Sequence, residues 1–455
     1  MPSGLHSIRA SPRVSLPQQL IYRVDRLERA LETDTAVTAG EPLGHLGPAS
    51  ATNTVQAAVL CALDGTVTEI TAPGEGFQIR INVAAQQTSP ATTLVPHTPS
   101  DVKEHSNPRD HLLRQIAAAS ICGLGGGRFP TATKLAGPAA TEPLLINAMQ
   151  SEPDNDSDLW LLAQDPAGVA DGIMATALAC NAQRIICALP ELTGCERVNT
   201  GPLSEALEQA QAQLGWRGEW HIKQLPVDPA SGAESLLAQR AAGLSVPLDQ
   251  PLHRSGALSV NLATTYAIAR AVFTAEPLLR RVVTVDEKPR WVWLGTPVAE
   301  LLAGPVMLNG GVGGDLAQPH ASINAGHFCV SPADLAPSYP CINCGQCAPV
   351  CPANLQPDQL HKTLRDGVQA PGVIDQLQTL AIDRCIECGL CNTVCPSNIS
   401  LAQQFRQARQ VCTADQAAAV AAEQAKTRVD ARNARLAHID AERDAARQAR
   451  EQREW

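Results

Sequence analysis

The apolar positions of this chain fall into runs of different period. Between Thr35 and Val83, three segments punctuated by glycine (Thr35–Leu46, Val55–Ile70 and Gly74–Val83) alternate apolar and polar residues, which predicts half-buried strands and a small all-β module. Residues 87–107, rich in Pro, Thr and Ser, read as a linker with a boundary near Asp101. From Arg109 onward, helix-period and apolar-run segments alternate. Helices are expected from Arg109 to Ile121, stopping at Gly123, then within Leu159–Cys180, Leu203–Leu214 and Glu234–Ala242. Buried strands are expected at Pro143–Ala148 and Arg184–Leu189. That alternation is the signature of an α/β layer with a largely parallel sheet. The character changes at Arg281–Val285 and Trp291–Leu294, strand-like runs separated by the turn-forming Asp286–Pro289, which predict a small α+β insert. The last stretch, Asp415–Trp455, is mostly Ala, Glu, Gln, Arg and Asp, with no Pro, Gly or aromatic residue before Trp455. It reads as a long solvated helix or a disordered arm that folds on a partner, and its balanced charges favour a solvated face over a basic membrane anchor.

A chain of 455 residues exceeds what one core organises, so several domains are expected. Hydrophobic residues are 44% of the chain and aromatics 3%, which fits aliphatic helices packed on sheets. The formal net charge of −10 excludes a general nucleic-acid binder, which needs surplus Lys and Arg to displace phosphate counterions. Apolar stretches such as Gly168–Leu189 are broken by Asp171, Asn181, Gln183 and Arg184, so no membrane span is expected. Residues 1–20 contain Arg9 and Arg13 but no apolar core of a secretory signal, which favours the cytosol and leaves peripheral membrane attachment open.

Of fifteen cysteines, eight stand in two runs of identical spacing, Cys341-x-x-Cys344-x-x-Cys347-x-x-x-Cys351-Pro352 and Cys385-x-x-Cys388-x-x-Cys391-x-x-x-Cys395-Pro396. Three thiolates at successive spacings of three can wrap one face of a cubane. Gly345 and Gly389 let the backbone approach it, and the proline after the fourth cysteine turns the chain away. Zinc more often takes separated Cys-x-x-Cys pairs, so two [4Fe-4S] clusters and one-electron transfer are expected. In two-cluster ferredoxins the fourth cysteine of each run ligates the other cluster. On that rule one cluster takes Cys341, Cys344, Cys347 and Cys395, and the other Cys385, Cys388, Cys391 and Cys351. The scattered Cys61, Cys122, Cys180, Cys187, Cys195, Cys329 and Cys412 are expected to be buried small hydrophobes. The eleven histidines show no ligand spacing, and Asp154, Asp156 and Asp158 read as a solvated loop.

Upstream lies the glycine-rich stretch Gly123-Leu124-Gly125-Gly126-Gly127-Arg128-Phe129-Pro130-Thr131, followed by Lys134. Such a loop can turn backbone N–H groups onto a phosphate, and it can equally be simple punctuation.

The carrier-like segments Val37–Gly44 and Asp64–Ile70 resemble the barrel-sandwich hybrid of biotinyl and lipoyl carriers, without a lysine at the second turn. Taken with the glycine-rich loop, Asn147–Pro153, Leu294-Gly295-Thr296-Pro297-Val298 and both cysteine runs, the order over roughly Thr35–Gln410 resembles the C subunit of Rnf-type ion-translocating electron transport complexes. The middle is similar to the flavoprotein subunit of respiratory complex I. The resemblance implies an N-terminal arm (1–34), a barrel-sandwich hybrid module (35–100) and a Rossmann-like FMN/NAD-type domain (101–255). A β-grasp-like domain (256–330), a two-cluster ferredoxin-like domain (331–412) and a charged tail (413–455) complete it. It further implies FMN facing Gly123, Gly125, Gly126 and Lys134, with Asn147 and Glu152 near its ring and ribose, and NAD(H) as the two-electron partner. The expected setting is peripheral, on the cytoplasmic side of a bacterial inner membrane, beside membrane-embedded and ferredoxin-like subunits. The sequence departs from the family pattern at Arg128, at Gln150 in place of a carboxylate, and at Ser231-Gly232-Ala233-Glu234. A flavin-free conduit or scaffold and a soluble NADH-dependent diaphorase are the competing readings.

Overall fold

The computed structural model of the chain describes residues 14–27, 31–45, 58–72, 76–88, 92–137, 142–191, 198–248 and 250–451. Cys195 and the first thirteen residues of the expected arm lie outside this set. The chain divides into two compact units, residues 1–342 with 388–399, and residues 343–387 with 400–455.

The larger unit opens with seven strands: β1 (Gln19–Val24), β2 (Arg26–Leu27), β3 (Ala36–Val37), β4 (Pro42–His45), β5 (Ala58–Leu60), β6 (Gly65–Thr71) and β7 (Phe77–Val83). They form two antiparallel sheets, β1-β7-β6-β3 and β2-β4-β5. Leu20, Val24, Leu43, Val67, Ile79 and Ile81 are fully buried between them. β1 lies within the stretch expected to be an arm, and pairs along its whole length with β7, so the β module starts before residue 35. Gly65 has no substitute at the start of β6, because a Cβ there would sit 2.4 Å from the Asn82 carbonyl oxygen.

The α/β layer runs through α1 (Pro99–Glu104), α2 (Pro108–Ala118), α3 (Thr131–Leu135), β8 (Leu144–Asn147), α4 (Ser157–Gln164), α5 (Pro166–Cys180) and β9 (Arg184–Glu191). It continues with α6 (Gly201–Leu214), β10 (Glu219–Pro226), α7 (Glu234–Ala242), β11 (Leu258–Asn261) and α8 (Leu262–Thr274). Helix starts follow local chemistry: Thr98 and Asp101 form a capping box, and Asn107 and Asp165 accept from the N–H groups of Asp110 and Gly168, each followed by proline in the first turn. α5 ends at Asn181, which takes the left-handed conformation at φ 55°. The four strands order β10-β9-β8-β11, all parallel. α5 and α8 touch through their backbones at Gly172, where a Cβ would lie 1.9 Å from the Thr265 carbonyl oxygen. Because β11 pairs with β8 and α8 packs on α5, the layer extends past residue 255, the boundary expected from the sequence.

A mixed sheet follows, from β12 (Arg280–Val285), β13 (Lys288–Trp293), β14 (Val306–Leu308), β15 (Asp315–Leu316) and β16 (Cys329–Pro332), with α9 (Val298–Leu301) between β13 and β14. Its order is β13-β12-β16-β14-β15. The β12–β13 turn places Asp286 and Glu287 at φ 48° and 61°, the positive angles that a two-residue hairpin turn requires.

In the smaller unit lie α10 (Pro357–Thr363) and α11 (Val373–Thr379); α12 (Leu390–Thr393) belongs to the larger. The smaller unit ends in α13 (Leu401–Glu451), a single helix of 51 residues. Its first turns bury Leu401, Phe405, Ala408 and Cys412 at helical spacing, whereas residues 413–450 are exposed throughout. Of the two readings of this tail, the described residues follow the solvated helix. No helix among the described residues is long and apolar enough to cross a membrane.

Candidate nucleotide cradle and cluster ligands

The glycine-rich loop is clamped at its base. Gly123 N–H donates to the Phe129 carbonyl at 2.9 Å, Arg128 N–H to the Gly123 carbonyl at 3.2 Å, and Thr131 N–H to the Ile121 carbonyl at 3.0 Å. The Leu124 N–H donates to Thr264 Oγ1 at 2.9 Å, at the start of α8. Gly125 packs on Asn261, which would stand 3.2 Å from an added Cβ; Gly126 sits at φ +110°; Gly127 has open space where a side chain would start. The N–H groups of Gly125, Gly126 and Gly127 make no hydrogen bond among the described residues. Consecutive free donors on a glycine turn are the kind of backbone that can bind an anion.

Charge is buried beneath this turn. Arg281, 2% exposed, donates through Nη1 to the Leu124 carbonyl at 2.9 Å and also to the Ala325 carbonyl, and through Nε to the Val282 carbonyl. Burial pulls its pKa down to about 10, with Asp158 and Cys122 working in the opposite direction. Asp158 is buried in the first turn of α4, so it is no part of a solvated loop as expected from the sequence. Desolvation raises its pKa, against hydrogen bonds from Asn261 Nδ2 at 2.6 Å and Ala263 N–H at 3.2 Å. Asn261 thereby ties the acid to the Gly125 side of the turn.

The remaining residues expected at the nucleotide site fall in three places. Lys134, in α3, pairs with Glu234 at 2.6 Å, both partly exposed. Asn147, at the end of β8, donates to the Gly232 carbonyl at 2.9 Å and accepts from the Met149 N–H at 3.0 Å, so it draws the 231–234 segment against the strand end. Glu152, 5% exposed, accepts from the Gly313 N–H at 2.6 Å through Oε1 and the Val312 N–H at 3.1 Å through Oε2. Gln150 donates to the Asn155 carbonyl at 3.0 Å and to Asp156, holding the loop before α4 where a carboxylate would have repelled Asp156. Arg128 adopts φ 50° and carries its stem past Gly326, where a Cβ would come within 3.0 Å of Arg128 Cγ. Its side chain lines a cleft of about 140 Å³ together with Tyr22, Cys122, Asn324 and Ala325.

Asn261, Thr264 and Arg281 were not singled out from the sequence. A charged residue inside the valine-rich run 281–285 was the available signal for Arg281. Asn261, between an apolar strand and a helix, is positioned by the fold alone.

The two cysteine runs repeat one local geometry. Asn343 and Glu387 take φ 55° and 56°, Gly345 and Gly389 φ 71° and 75°, and Asn354 and Asn398 φ 52° and 50°. Each fourth cysteine donates its N–H three residues back: Cys351 to Ala348 at 3.2 Å and Cys395 to Asn392 at 3.1 Å. All eight thiols are free of disulfides; Cys347 is buried, Cys344 exposed and the other six half-buried. In the smaller unit, the Leu355 N–H donates to Cys351 Sγ at 3.4 Å, and Glu387 accepts from Arg406 Nε at 2.8 Å and from Arg409. Cys61, Cys122, Cys180, Cys187, Cys329 and Cys412 are buried, as expected of small hydrophobes.

The glycine turn, with free donors over a buried guanidinium and open space at Gly127, fits a phosphate. The paired runs share left-handed residues before and after the second cysteine, and among the described residues no three His, Cys, Asp or Glu side chains are drawn together tightly enough to hold a single metal ion.

Comparison with known proteins agrees in kind. Residues 116–270 match the Nuo51 FMN-binding domain, and residues 340–400 a 4Fe-4S dicluster domain. FMN and [4Fe-4S] clusters, the cofactors expected from the sequence, are those of the matching domains. The C subunit of the ion-translocating oxidoreductase complex of Pectobacterium carotovorum subsp. carotovorum is 34% identical over 360 residues, 74% of this chain and 46% of that protein. The corresponding C subunit of Vibrio cholerae is 36% identical over 359 residues, 73% of this chain and 44% of its own length. The chain thus spans less than half of these two relatives. A solved chain of a NAD+-reducing [NiFe]-hydrogenase in the H2-reduced state aligns at 18% identity, TM-score 0.44, over 69% of this chain and 62% of that one. Over about three quarters of its length, the chain is a homologue of the C subunits of ion-translocating oxidoreductase complexes.

Proposed function

We propose that the chain is the electron-transfer subunit of a membrane-bound Rnf-type complex that couples electron flow between NADH and ferredoxin to ion translocation. The observation that supports this most is the occurrence, in one compact unit, of a phosphate-shaped glycine turn over Arg281 and the second cysteine run from Cys388 onward. FMN supplies the conversion between two-electron and one-electron carriers when bound. Gly125, Gly126 and Gly127 would hold its phosphate on a turn that Gly123 closes through its bond to Phe129, with Lys134 as a movable cation at the rim, and Asn147 and Asn261 would fix the cleft wall. Glu152 would reach a ring or ribose only through the loop it already holds. Cys341, Cys344, Cys347 and Cys395 would ligate one cluster, and Cys385, Cys388, Cys391 and Cys351 the other.

The finer architecture belongs to the same reading: a barrel-sandwich hybrid for the first seven strands, a Rossmann-like layer, a β-grasp-like mixed sheet and a ferredoxin-like cluster domain. So do its partners, the membrane-embedded and ferredoxin-like subunits, and its seat on the cytoplasmic face of an inner membrane. Anaerobic purification followed by joint assay of iron, acid-labile sulfide and flavin tests it. Eight irons, eight sulfides and one FMN per chain are expected, with NADH bleaching both chromophores. Zinc in place of iron overturns the cluster reading, and clusters without flavin or NADH bleaching overturn the nucleotide role.

A further inference from the structure

The loop 309–314, Asn-Gly-Gly-Val-Gly-Gly, is built from two sides within the larger unit. On one side stands Glu152, five residues beyond the strand-end Asn147, with its carboxylate on the Val312 and Gly313 N–H groups. The approach is close enough that a Cβ on Gly310 would lie 2.2 Å from Glu152 Oε2. Ser151 fills the gap next to it, since a Cβ on Gly232 would lie 2.2 Å from its Oγ. On the other side is the second cysteine run. Asn392 Nδ2 donates to the Val312 carbonyl at 2.9 Å, and a Cβ on Gly389 would meet that same carbonyl oxygen at 2.3 Å. The loop is pinned at its root by Asn309, which donates to the Gly326 carbonyl and accepts from the Phe328 N–H. The Val312–Gly313 peptide therefore carries Glu152 Oε1 on its N–H and the Gly389–Asn392 segment on its carbonyl, while Glu152 Oε2 holds the N–H of the preceding peptide.

We propose that Glu152 is a positioning residue for the second cluster run: by holding the Val312–Gly313 peptide it seats Gly389 and Asn392, and so the thiols of Cys388 and Cys391. This rests on the cluster and flavin reading above. Hydrogen bonds to a carboxylate are the strong kind, and polarising the amide through the Gly313 N–H strengthens the Val312 carbonyl of the same peptide as an acceptor. A change at Glu152 thus reaches the cluster segment through backbone, with no side chain of the cysteine run altered.

The test compares the cluster-loaded, full-length wild type with Glu152→Gln, Asn392→Ala and the double variant. Amide hydrogen exchange is expected to speed up roughly tenfold or more at Val312–Gly313 in Glu152→Gln, as befits loss of charge-assisted bonds, and to speed up at Gly389–Asn392 as well. Anaerobic redox titration is expected to shift the midpoint of one of the two cluster signals in each single variant. The double variant should shift it no further than the larger single shift, because both act through one peptide. Flavin content should stay that of wild type. Faster exchange confined to Val312–Gly313, with both cluster midpoints unchanged, overturns the proposal. A midpoint unchanged in Glu152→Gln together with lost flavin makes Glu152 a flavin contact and overturns it equally. Wild type lacking iron and sulfide is a different outcome: the cluster reading itself then fails, and the positioning role with it.

Discussion

Among single residues, the glycines of the cradle differ in what they tolerate. Gly126, at φ +110°, occupies backbone space closed to L side chains, so Gly126→Ala should cost on the order of 2 kcal/mol of stability in chemical denaturation. Gly127→Ala meets no atom within 4 Å and should leave stability within about 0.5 kcal/mol of wild type. On the cradle reading that methyl group would crowd the bound phosphate, so retained flavin should fall; equal flavin loss with equal destabilisation in both variants would count against a phosphate cradle. His327 makes a second test. Burial, then the charges of Arg128 and Arg281, lower its pKa from 6.5 to about 4. Its Nδ1 lies 3.1 Å from the Ser322 carbonyl and 3.3 Å from the Asn324 N–H, and Asn324 Nδ2 stands 3.2 Å from Nε2, so both ring nitrogens are engaged inside the fold. The unfolded chain then takes up a proton below 6.5 that the folded chain refuses, so stability falls as pH drops through the window from 6.5 to about 4. Between pH 7 and 5.5 the loss should be about 1 kcal/mol in urea titrations and absent in His327→Gln; an identical pH slope in the variant would sink the assignment. Residues such as these were the least legible from the sequence. Glu152 was placed near a cofactor by the family resemblance, but its carboxylate answers to N–H groups 160 residues away, which no local pattern encodes.

Elements were legible where local chemistry and burial agreed. α2 was visible because Asn107 and Pro108 mark its start and Leu112 and Ile116 its buried face; β9 because it is buried for six residues in succession. β10 escaped notice: as an edge strand it exposes Glu219, His221 and Lys223 and carries little apolar signal. β1 was taken for part of an arm because its partner, β7, comes more than fifty residues later. The boundary at 255 failed for a similar reason, since β11 finds β8 across more than a hundred residues. The cysteine runs lie at the opposite extreme. Spacing and glycine positions predict a repeated backbone, and the matched left-handed residues in both runs carry it. α13 mixes the two cases. Its buried stripe ends at Cys412, where the composition changes to Ala, Gln, Arg and Glu. Removing residues 415–455 should therefore leave the denaturation midpoint and cluster content of the rest unchanged, to within roughly 0.5 kcal/mol; a large loss of either would show that the exposed length supports the fold.

At the scale of the molecule, the larger unit gathers a β module, a parallel α/β layer, a mixed sheet and parts of both cysteine runs, so the chemistry stands on pieces contributed by distant stretches of chain. The clamps on the glycine turn, from Phe129, Thr264 and Arg281, have a kinetic consequence. A receptor whose shape was settled when the chain folded demands no further ordering from its guest, so capture should run at the pace of rigid docking. How much flavin survives purification then measures the speed of departure, and differences between preparations reflect washing time more than defects of assembly.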